Sequence, residues 1–477
     1  MIGKIRFIEP GNFSPYKETP VNAFTYNNFI RNPSTGLITL ATIAKPLAGD
    51  VLMYSESISE LNYCDIYDAD IIFISINTFN APRGYRIAEN IRAISRAVIV
   101  FGGMHASLNP DETIKYGDYV LLGDGDSSIA PLIHAIEKKA DPDFPGVVYK
   151  KGGSVITTGR GEQSPDTDTI PDRNLVYDYS RLAKKYDTLW PQVHASRGCP
   201  HTCSYCMVIA RFGSTIRKRT PGNIVADIKQ AMAFYRRGFF SRLNTCIWLL
   251  DDTFAHDREW AKSVLHAIID SGIKCHFAAR TRYETGFDDE ILGLMKKAGF
   301  LELALGIEFP GNSSSAAFNK KSNSGDTARA IKNIQKHGIG VRGLFVIGAG
   351  NDAGGIGERI ARYVKENRIH GALIQSMFFT PGTSAVAENN QSHIHQDWEQ
   401  YCGHVVHYPM NLKPHELQEV IIEASRRIYS LGNLLYALIH YRWVSKVLFV
   451  GEYFWQKNLR KDLARELPYL KSPANSA

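Results

Sequence analysis

The chain has 477 residues, of which 44% are hydrophobic and 22% are charged. This length provides material for two or three hydrophobic cores and excludes a small secreted domain stabilised by disulfides. The net charge of +7 is modest, and no run of lysine and arginine residues argues for a nucleic-acid partner.

The seven cysteines and the first residues indicate the compartment. Seven is an odd number, and three of the cysteines fall between positions 199 and 206, so the set does not resemble a disulfide framework. Residues Met1–Ile8 form a predicted strand and lack the apolar core of a signal peptide. We therefore expect a cytoplasmic protein.

Strand and helix patterns alternate through the first third of the chain. The predicted elements are a strand at Lys4–Ile8, a helix at Gly36–Leu47, strands at Val51–Met53 and Asp70–Ile76, a helix at Arg83–Ile94, and strands at Ala97–Gly102 and Tyr119–Leu122. This alternation is typical of a parallel sheet covered by helices on both faces. We predict a Rossmann-like, flavodoxin-like domain over residues 1–140.

Polar and glycine residues follow the strands of this domain. In open parallel sheets the ligand lies over the carboxyl ends of the strands, and glycine there lets the backbone approach a large flat ligand. The alternative is that these glycines only form tight turns. The candidate ligand contacts are Ser75, Asn77, Thr78, Gly102, Gly103, His105, Gly123 and Asp124.

Residues 141–190 are predicted to form a linker, because residues 141–172 are rich in glycine, proline, aspartate and threonine. A small hairpin is predicted within it at Val147–Ile156, turning at Gly152-Gly153.

Three cysteines follow the linker in a C-x3-C-x2-C arrangement at Cys199, Cys203 and Cys206. A 4Fe–4S cluster normally takes four thiolates, so three would leave one iron open to a non-protein ligand, as in a catalytic cluster. A structural zinc site that recruits His201 is one alternative, although its spacing fits no common zinc pattern. Three unconnected core cysteines are the other alternative.

Strands and helices alternate again after the cysteines. The predicted strands are Gln192–Ala195, Thr245–Leu250, Lys274–Ala279, Leu301–Ile307, Val341–Ile347 and Ala372–Phe379, and the predicted helices are Asn223–Arg236, Asp257–Ser271, Asp288–Ala298, Asp326–His337 and Gly357–Asn367. Six strands predict a partial (β/α)6 barrel over residues 191–385, with functional groups at the carboxyl ends of the strands.

The last segment, residues 386–477, is predicted to be helical, with helices at Lys413–His440 and Arg442–Leu463. Polar residues interrupt the apolar stretch Leu431–Val450, which argues against a spanning helix. One interpretation is a helical cap on the barrel mouth. The other is peripheral membrane contact through an amphipathic helix, with apolar and basic residues interleaved at Trp443, Phe449, Phe454, Trp455, Arg442, Lys446, Lys457, Arg460 and Lys461.

The cysteine loop, with Tyr205 just before the third cysteine, resembles that of the radical S-adenosylmethionine (SAM) enzymes. The resemblance implies a 4Fe–4S cluster on the three cysteines, whose open iron binds the amino and carboxylate groups of SAM. It also implies reductive cleavage of SAM to a 5′-deoxyadenosyl radical, with Tyr205 covering the adenine.

Three segments of the first domain resemble the cobalamin-binding domain of one large class of these enzymes: Asn32–Ala41, Phe101–Ser107 and Gly123–Asp126. The resemblance implies that cobalamin contacts the eight strand-end residues named above. The chain lacks the Asp-x-His-x-x-Gly signature that supplies a histidine to cobalt, so binding without a histidine ligand is implied.

The resemblance also assigns SAM-binding roles in the second domain, each of which has a helix cap or a surface side chain as its alternative. The ammonium group of SAM would face Asp251 and Asp252, which follow the second strand, and the carboxylate or ribose would face Arg280. The ribose or amino group would face Glu308, and the adenine would face Gly348.

The resemblance covers roughly residues 30–385 and implies a cobalamin-dependent radical SAM enzyme, similar to the class B radical SAM methyltransferases. Such an enzyme would methylate an unactivated carbon of a small-molecule or lipid substrate, and we expect an electron donor such as flavodoxin or ferredoxin. The alternatives are a radical rearrangement, cyclisation or oxidation without methyl transfer, and a non-catalytic iron–sulfur or cobalamin sensor.

Overall fold

The computed structural model describes residues 2–11, 32–161, 163–164, 167–179, 191–235, 246–308, 324–348, 355–377, 383–385, 398, 401, 405 and 412–471. The predicted strand Ala372–Phe379 and the predicted helix Asn223–Arg236 each end outside these ranges.

The first sheet has seven strands: β1 (Ile2–Glu9), β2 (Ala48–Ser55), β3 (Ile71–Ser75), β4 (Val98–Gly102), β5 (Tyr119–Leu121), β6 (Val147–Lys151) and β7 (Ser154–Thr157). Their spatial order is β2-β1-β3-β4-β5-β6-β7, and the first five are parallel. The order 2-1-3-4-5 is that of flavodoxin-like sheets, in which the ligand site lies where the strand order reverses.

Helices cover both faces of this sheet: α1 (Thr35–Ala44), α2 (Tyr63–Ile66), α3 (Ala81–Ile94), α4 (Met104–Leu108), α5 (Pro110–Thr113) and α6 (Ile129–Lys138). The strands are apolar on both sides because both sides are buried. Phe7 stacks on Phe73 in one core, with ring centroids 4.8 Å apart, whereas the adjacent Ile8 belongs to the core on the other face.

The hairpin predicted inside the linker belongs to the first sheet. Gly152 and Gly153 have φ values of 57° and 82°, which allow a two-residue turn between β6 and β7. Strand β6 then pairs antiparallel with β5, placing Val148 beside Val120. The sheet therefore continues to Thr157, beyond the predicted boundary at residue 140.

The second sheet has six parallel strands, as predicted: β8 (Gln192–Val193), β11 (Cys246–Leu249), β12 (His276–Thr281), β13 (Phe300–Glu308), β14 (Gly340–Ile347) and β15 (Gly371–Ser376). The short antiparallel strands β9 (Ser196–Arg197) and β10 (Arg217–Lys218) lie between β8 and β11 in the chain.

Within the described ranges, six helices accompany this sheet: α7 (Met207–Phe212), α8 (Pro221–Tyr235), α9 (Arg258–Asp270), α10 (Asp289–Ala298), α11 (Ser324–Lys336) and α12 (Ile356–Glu366). Helices α9 and α10 begin one residue later than predicted because Asp257 and Asp288 are their N-caps. Each cap carboxylate accepts a hydrogen bond from a backbone N–H of the first turn.

The carboxy-terminal segment forms α13 (Pro414–Ile428), α14 (Leu431–His440) and α15 (Trp443–Leu470). The single helix predicted at Lys413–His440 is therefore two helices. Tyr429 leaves helical geometry, and the Ser430 side chain caps α14 by accepting a hydrogen bond from the Asn433 N–H. No helix among the described residues is both long and apolar enough to cross a bilayer.

These helices do not cap the barrel mouth, so that prediction is wrong. The Ala372 N–H donates a 2.7 Å hydrogen bond to Tyr429 Oη, and Arg342 Nη1 lies 2.6 Å from Glu452 Oε1. Ala372 and Arg342 lie near the starts of β15 and β14, whereas the mouth is at the strand ends. The helices therefore cover the opposite end of the barrel.

Candidate active site

The cysteine loop lies between β9 and α7, beyond the carboxyl end of β8. Its path requires Gly198, whose φ is 93° and whose added Cβ would lie 2.2 Å from the Thr215 carbonyl oxygen. The Cys206 N–H donates to the Cys203 carbonyl oxygen at 3.0 Å, which closes the turn between the second and third cysteines.

All three thiols are partly exposed. Burial raises the pKa of the Cys206 thiol to about 11 and raises that of Cys199. Within the described ranges, no three cysteine, histidine or acidic side chains are gathered into a preformed metal site. The spacing of the three cysteines and the chemistry of their thiols are therefore the features of the loop that indicate a cluster.

The two aspartates after β11 have different surroundings. Asp251 is fully buried and accepts hydrogen bonds from the Ala195 N–H at 2.8 Å and from Ser196 Oγ at 2.6 Å, and burial raises its pKa to about 6. Asp252 accepts from the Gly198 N–H at 3.2 Å and faces a cavity. Asp251 thus fixes the chain before the cysteine loop, whereas Asp252 is the member of the pair that can meet a ligand.

The other predicted SAM contacts lie at neighbouring strand ends. Arg280 is exposed near the end of β12, Glu308 ends β13 with a φ of 58°, and Gly348 follows β14 with a φ of 91°. A glutamate in the left-handed region is uncommon, and such strain concentrates at functional sites. Burial is the main cause of the raised pKa of Tyr205, and the negative charge of Glu308 is the second cause. The Glu308 carboxylate therefore interacts electrostatically with the cysteine loop.

A cavity of about 260 Å³ lies between the two sheets. Its walls include six of the eight predicted cobalamin contacts: Ser75, Asn77, Gly102, Gly103, Gly123 and Asp124. Five residues of the second domain complete the wall: His194, Ser196, Arg197, Leu250 and Asp252. The strand ends of the first domain and the region around the cysteine loop therefore border one space.

The predicted contacts Thr78 and His105 are not part of this wall. His105 is fully buried, with Nδ1 3.3 Å from Thr78 Oγ1 and Nε2 3.7 Å from Glu112 Oε1. Burial opposes ionisation of Glu112, but the nearby His105 ring and a hydrogen bond from Trp398 Nε1 prevail and lower the pKa of Glu112 to about 2. The structure thus places Thr78 and His105 in a polar group behind the cavity, where they hold α4 and α5.

The two glycines at the end of β4 distinguish between glycine required by a tight turn and glycine that leaves room for a ligand. Gly103 has a φ of 95°, and an added Cβ would lie 2.6 Å from the Ile76 carbonyl oxygen, so the turn itself requires glycine. An added Cβ on Gly102 would meet no atom within 4 Å. Gly102 therefore leaves open cavity space for a large ligand, and the wall fits a flat cofactor such as cobalamin.

Two ion pairs, one buried and one partly buried, join the domains beside the cavity. Asp126 Oδ2 lies 2.8 Å from Arg197 Nη1, and Asp124 pairs with Arg217. The two arginines are partners in the β9–β10 ladder. The aspartates of the Gly123–Asp126 turn therefore hold the first domain against the strand that leads into the cysteine loop. Asp124 has this role in addition to lining the cavity.

Sequence reasoning missed two acid–base residues of the cavity wall. His194 follows β8 directly, and its buried Nδ1 has no hydrogen-bond partner among the described residues. Burial and the surrounding arginines lower the pKa of His194 to about 3, so the ring is neutral at pH 7. Glu9 ends β1 and accepts from the Ser34 N–H at 3.0 Å, which fixes the start of α1. Their positions at strand ends were the available signal.

Residues 193–354 match the radical SAM superfamily. The chain is 25% identical over 400 residues to bacteriochlorophyllide d C-12(1)-methyltransferase of Chlorobaculum tepidum, covering 82% of each chain. It is 24% identical over 346 residues to hopanoid C-2 methylase of Rhodopseudomonas palustris, covering 71% of this chain and 60% of that one.

Two solved structures share the fold. The radical SAM methyltransferase TsrM from Kitasatospora setae, with tryptophan substrate and a SAM analog bound, superimposes with a TM-score of 0.68 at 13% identity, covering 98% of this chain and 99% of that one. The cobalamin-dependent SAM radical enzyme OxsB, with aqua-cobalamin and SAM bound, gives a TM-score of 0.68 at 13% identity, covering 98% of this chain and 72% of that one.

Proposed function

We propose that this chain, which contains a radical SAM domain, is a cobalamin-dependent enzyme that methylates an unactivated carbon of a small-molecule or lipid substrate. The observation that carries the proposal is the single cavity bordered by the strand ends of both domains. When bound, the cluster and SAM supply radical chemistry and cobalamin supplies methyl transfer, while the protein positions them and excludes water.

On this proposal, Cys199, Cys203 and Cys206 hold the cluster and leave one iron for SAM. Asp252 accepts a hydrogen bond from the ammonium group of SAM, because its carboxylate faces the cavity and is held in place by a hydrogen bond from the Gly198 N–H. Arg280 pairs with the SAM carboxylate or ribose from the next strand end. Asp251 acts as a positioning residue through Ala195 and Ser196.

Two further contacts are proposed for the nucleoside part of SAM. Glu308 would accept from the ribose or amino group, which is supported by its position at the end of β13 and its left-handed backbone. Gly348 would let the adenine approach the backbone after β14, and Tyr205 would cover the ring from the cysteine loop.

The cobalamin face is proposed to consist of the six predicted contacts that line the cavity: Ser75, Asn77, Gly102, Gly103, Gly123 and Asp124. Gly102 supplies the open space, and the polar side chains at the end of β3 can donate to the polar groups around a corrin ring. His194 faces the same cavity from the barrel and adds no charge at neutral pH, because its pKa is lowered to about 3.

We also propose that a small electron-transfer protein such as flavodoxin or ferredoxin reduces the cluster. The partial exposure of the three cysteines supports this, because electrons must reach the cluster from outside.

The test is an anaerobic assay of the reconstituted protein with methyl-labelled SAM, a reductant, and either bacteriochlorophyllide d or a hopanoid, the compounds in the names of the relatives. The proposal expects 5′-deoxyadenosine and a labelled product heavier by one CH2. A product without label, formed together with 5′-deoxyadenosine, would indicate rearrangement, cyclisation or oxidation. No 5′-deoxyadenosine from reduced protein and SAM would indicate a sensor.

A further inference from the structure

The carboxy-terminal helices carry a concentration of exposed apolar side chains. Twelve large apolar side chains are exposed among the described residues, and seven of them lie within positions 431–454. Trp443 is 78% exposed, and Ile439 is 71% exposed. Scattered exposed apolar residues are ordinary, but a contiguous group of this kind marks an interaction surface.

The seven side chains share one face of two consecutive helices. On α14 they are Leu431, Leu435, Leu438 and Ile439, and on α15 they are Trp443, Val447 and Phe454. Spacings of three, four and seven residues place side chains on one side of a helix, and the spacing of eleven between Trp443 and Phe454 does the same. The opposite faces pack against the protein, with Ala437 and Phe449 in the barrel core. Phe449, which the sequence suggested for the surface, therefore belongs to the interior.

A basic cavity of about 420 Å³ lies beside this apolar face. Lys332, Lys336, Arg368 and Arg442 line it together with a single acidic residue, Glu366. Arg442 Nη1 donates to the carbonyl oxygens of Gln335 and Lys336 at 2.8 and 2.6 Å, which ties the link between α14 and α15 to the end of α11. The basic cavity and the apolar face are thus held together.

The charge of the surrounding helix surface has the same sign. Residues 431–461 contain five lysines and arginines and one acidic residue, Glu452. Glu452 is buried, with Oε1 2.6 Å from Arg342 Nη1, so it does not offset the surface charge. The exposed Lys457 and Lys461 continue the side of α15 that carries Trp443, Val447 and Phe454.

We propose that the seven apolar side chains and the adjoining basic cavity, together called the apolar-basic face, dock on the surface of an anionic lipid bilayer. The cations would meet lipid phosphates while the apolar side chains enter the interfacial region. A tryptophan beside arginine is well suited to this boundary, because its ring is apolar and its N–H is polar.

The position of the face determines what docking would do. Lys336 ends α11 before β14, and Arg368 precedes β15, so the face lies at the starts of the barrel strands. The cofactor cavity lies at the strand ends and would point away from the bilayer. Docking therefore fixes the location of the protein and leaves the cavity open. It goes beyond the proposed function and does not depend on it.

A second copy of the chain fits this face less well than a bilayer. A two-fold symmetric contact would place the same patch against itself and bring the lysines and arginines of the two copies together. Like charges placed opposite each other oppose association.

The test is cosedimentation of the full reconstituted chain with vesicles of phosphatidylcholine alone and with vesicles that also contain phosphatidylglycerol. We expect binding only to the second kind, weakening as salt is added. Trp443→Ser should reduce the partition coefficient, measured by titration with vesicles, about tenfold. The pair Lys332→Glu and Lys336→Glu should reduce it at least as much, since each cation contributes roughly five-fold.

Matched controls are Val155→Ser, an exposed apolar residue of the hairpin, and Lys297→Glu, an exposed lysine of α10. Both should bind like the unaltered protein, and all variants should keep its thermal midpoint. No binding to anionic vesicles, or binding that the face variants and the controls change equally, would overturn the proposal. A dimer in light scattering that Trp443→Ser dissociates would also overturn it, in favour of a second copy.

The vesicle assay contains no substrate and requires no turnover. Iron and cobalt content, measured on the same preparation, reports on the proposed function separately. Loss of one result therefore does not imply loss of the other.

Discussion

The two ends of the barrel use charged residues in opposite ways. At the strand ends, Asp252, Arg197 and His194 border a cavity. The neutral ring of His194 and the carboxylate of Asp252 face the open space of this cavity. At the strand starts, Glu302, Arg342, His370 and Glu452 form one network of close polar contacts that is largely shielded from solvent. Arg342 Nε donates to Glu302 Oε1 at 2.8 Å, and His370 Nε2 lies 2.6 Å from Glu302 Oε2.

We therefore expect the charged residues at the strand ends to serve function and those at the strand starts to serve stability. In barrels built from parallel strands, chemistry gathers at the carboxyl ends, whereas residues at the other end hold the fold together. Here the strand starts are joined to α15 by the pair of Arg342 and Glu452, so the carboxy-terminal helices complete the stable end. Substitutions at the two ends should therefore change different measurements.

The largest effect is expected at the mouth. Cys203→Ala removes one of the three thiolates and should abolish cluster assembly and SAM cleavage, which iron analysis and 5′-deoxyadenosine formation measure. The thermal midpoint of the cluster-free protein should stay nearly unchanged, because Cys203 is partly exposed. Cys64→Ala, at an exposed cysteine of the first domain, is the control. Normal turnover by the Cys203 variant would contradict the assignment.

At the stable end, Glu302→Gln should lower the free energy of unfolding by about 3–5 kcal/mol, because it leaves the Arg342 charge buried with one carboxylate fewer. Denaturant titration measures this loss. SAM cleavage per folded molecule should not change. Glu290→Gln, at an exposed pair with Lys262, should leave both quantities unaltered. A loss of cleavage without a loss of stability would remove the distinction between the two ends.

The two aspartates after β11 allow a functional residue and a structural residue to be compared at one strand end. Asp252→Asn should raise the Kd for SAM about tenfold, because a charged hydrogen-bond acceptor is lost, while the free energy of unfolding changes little. Asp251→Asn should lower the free energy of unfolding by about 1–3 kcal/mol, since the amide cannot accept both hydrogen bonds. The opposite result, with Asp251 setting SAM affinity alone, would reverse their roles.

Gly102→Ala should weaken cobalamin binding while keeping the free energy of unfolding within about 0.5 kcal/mol. The added methyl group would enter the cavity and meet no protein atom within 4 Å. Gly293→Ala in α10 also meets no atom within 4 Å but lies far from the cavity, so cobalamin binding should not change. Equal affinity in both variants, by spectroscopic titration, would place cobalamin elsewhere.

The pH dependence of stability should differ in sign between the two ends. Burial opposes ionisation of Glu302, but Arg342 and His370 prevail and hold its pKa far below the ordinary value. Its contribution is present above about pH 4.5 and is lost as the pH falls toward the folded pKa. Burial raises the pKa of Asp251 to about 6, so its contribution is largest below about pH 4 and is lost as the pH rises through 6.

Unfolding free energies measured between pH 3 and 7 for Glu302→Gln and Asp251→Asn should therefore show opposite changes of slope. The glutamine variant should lose part of the decline at low pH, and the asparagine variant should lose part of the decline near pH 6. Identical profiles for the two variants would show that neither carboxylate has the assigned environment.

Local patterns allowed much of this to be predicted. Fully apolar runs identified the parallel strands, and the cysteine spacing identified the loop at their ends. Pairings distant in sequence could not be predicted, because nothing near Asp124 in the chain indicates Arg217, 93 residues away. The same limit hid the polar group of His105 and Glu112 behind the cavity. It also hid the separate roles of Asp251 and Asp252. These residues are adjacent in the chain, and their roles differ because their side chains face in different directions in the folded protein.

The break between α13 and α14 was missed for a local reason. Tyr429 and Ser430 interrupt an otherwise continuous helical pattern, and tertiary packing of the tyrosine decides the outcome. The Tyr429 hydroxyl accepts a hydrogen bond from the start of β15 and is fully buried there. Periodicity carries no information about such a contact.

The most direct measurement is the iron and cobalt content of the chain after anaerobic reconstitution with iron, sulfide and hydroxocobalamin, followed by desalting. The account predicts about four irons and about one cobalt per chain, with the cobalt reduced in Gly102→Ala and the iron lost in Cys203→Ala. Iron without cobalt in the unaltered protein would contradict the central claim that one cavity serves both cofactors, and would leave a radical SAM enzyme that works without cobalamin.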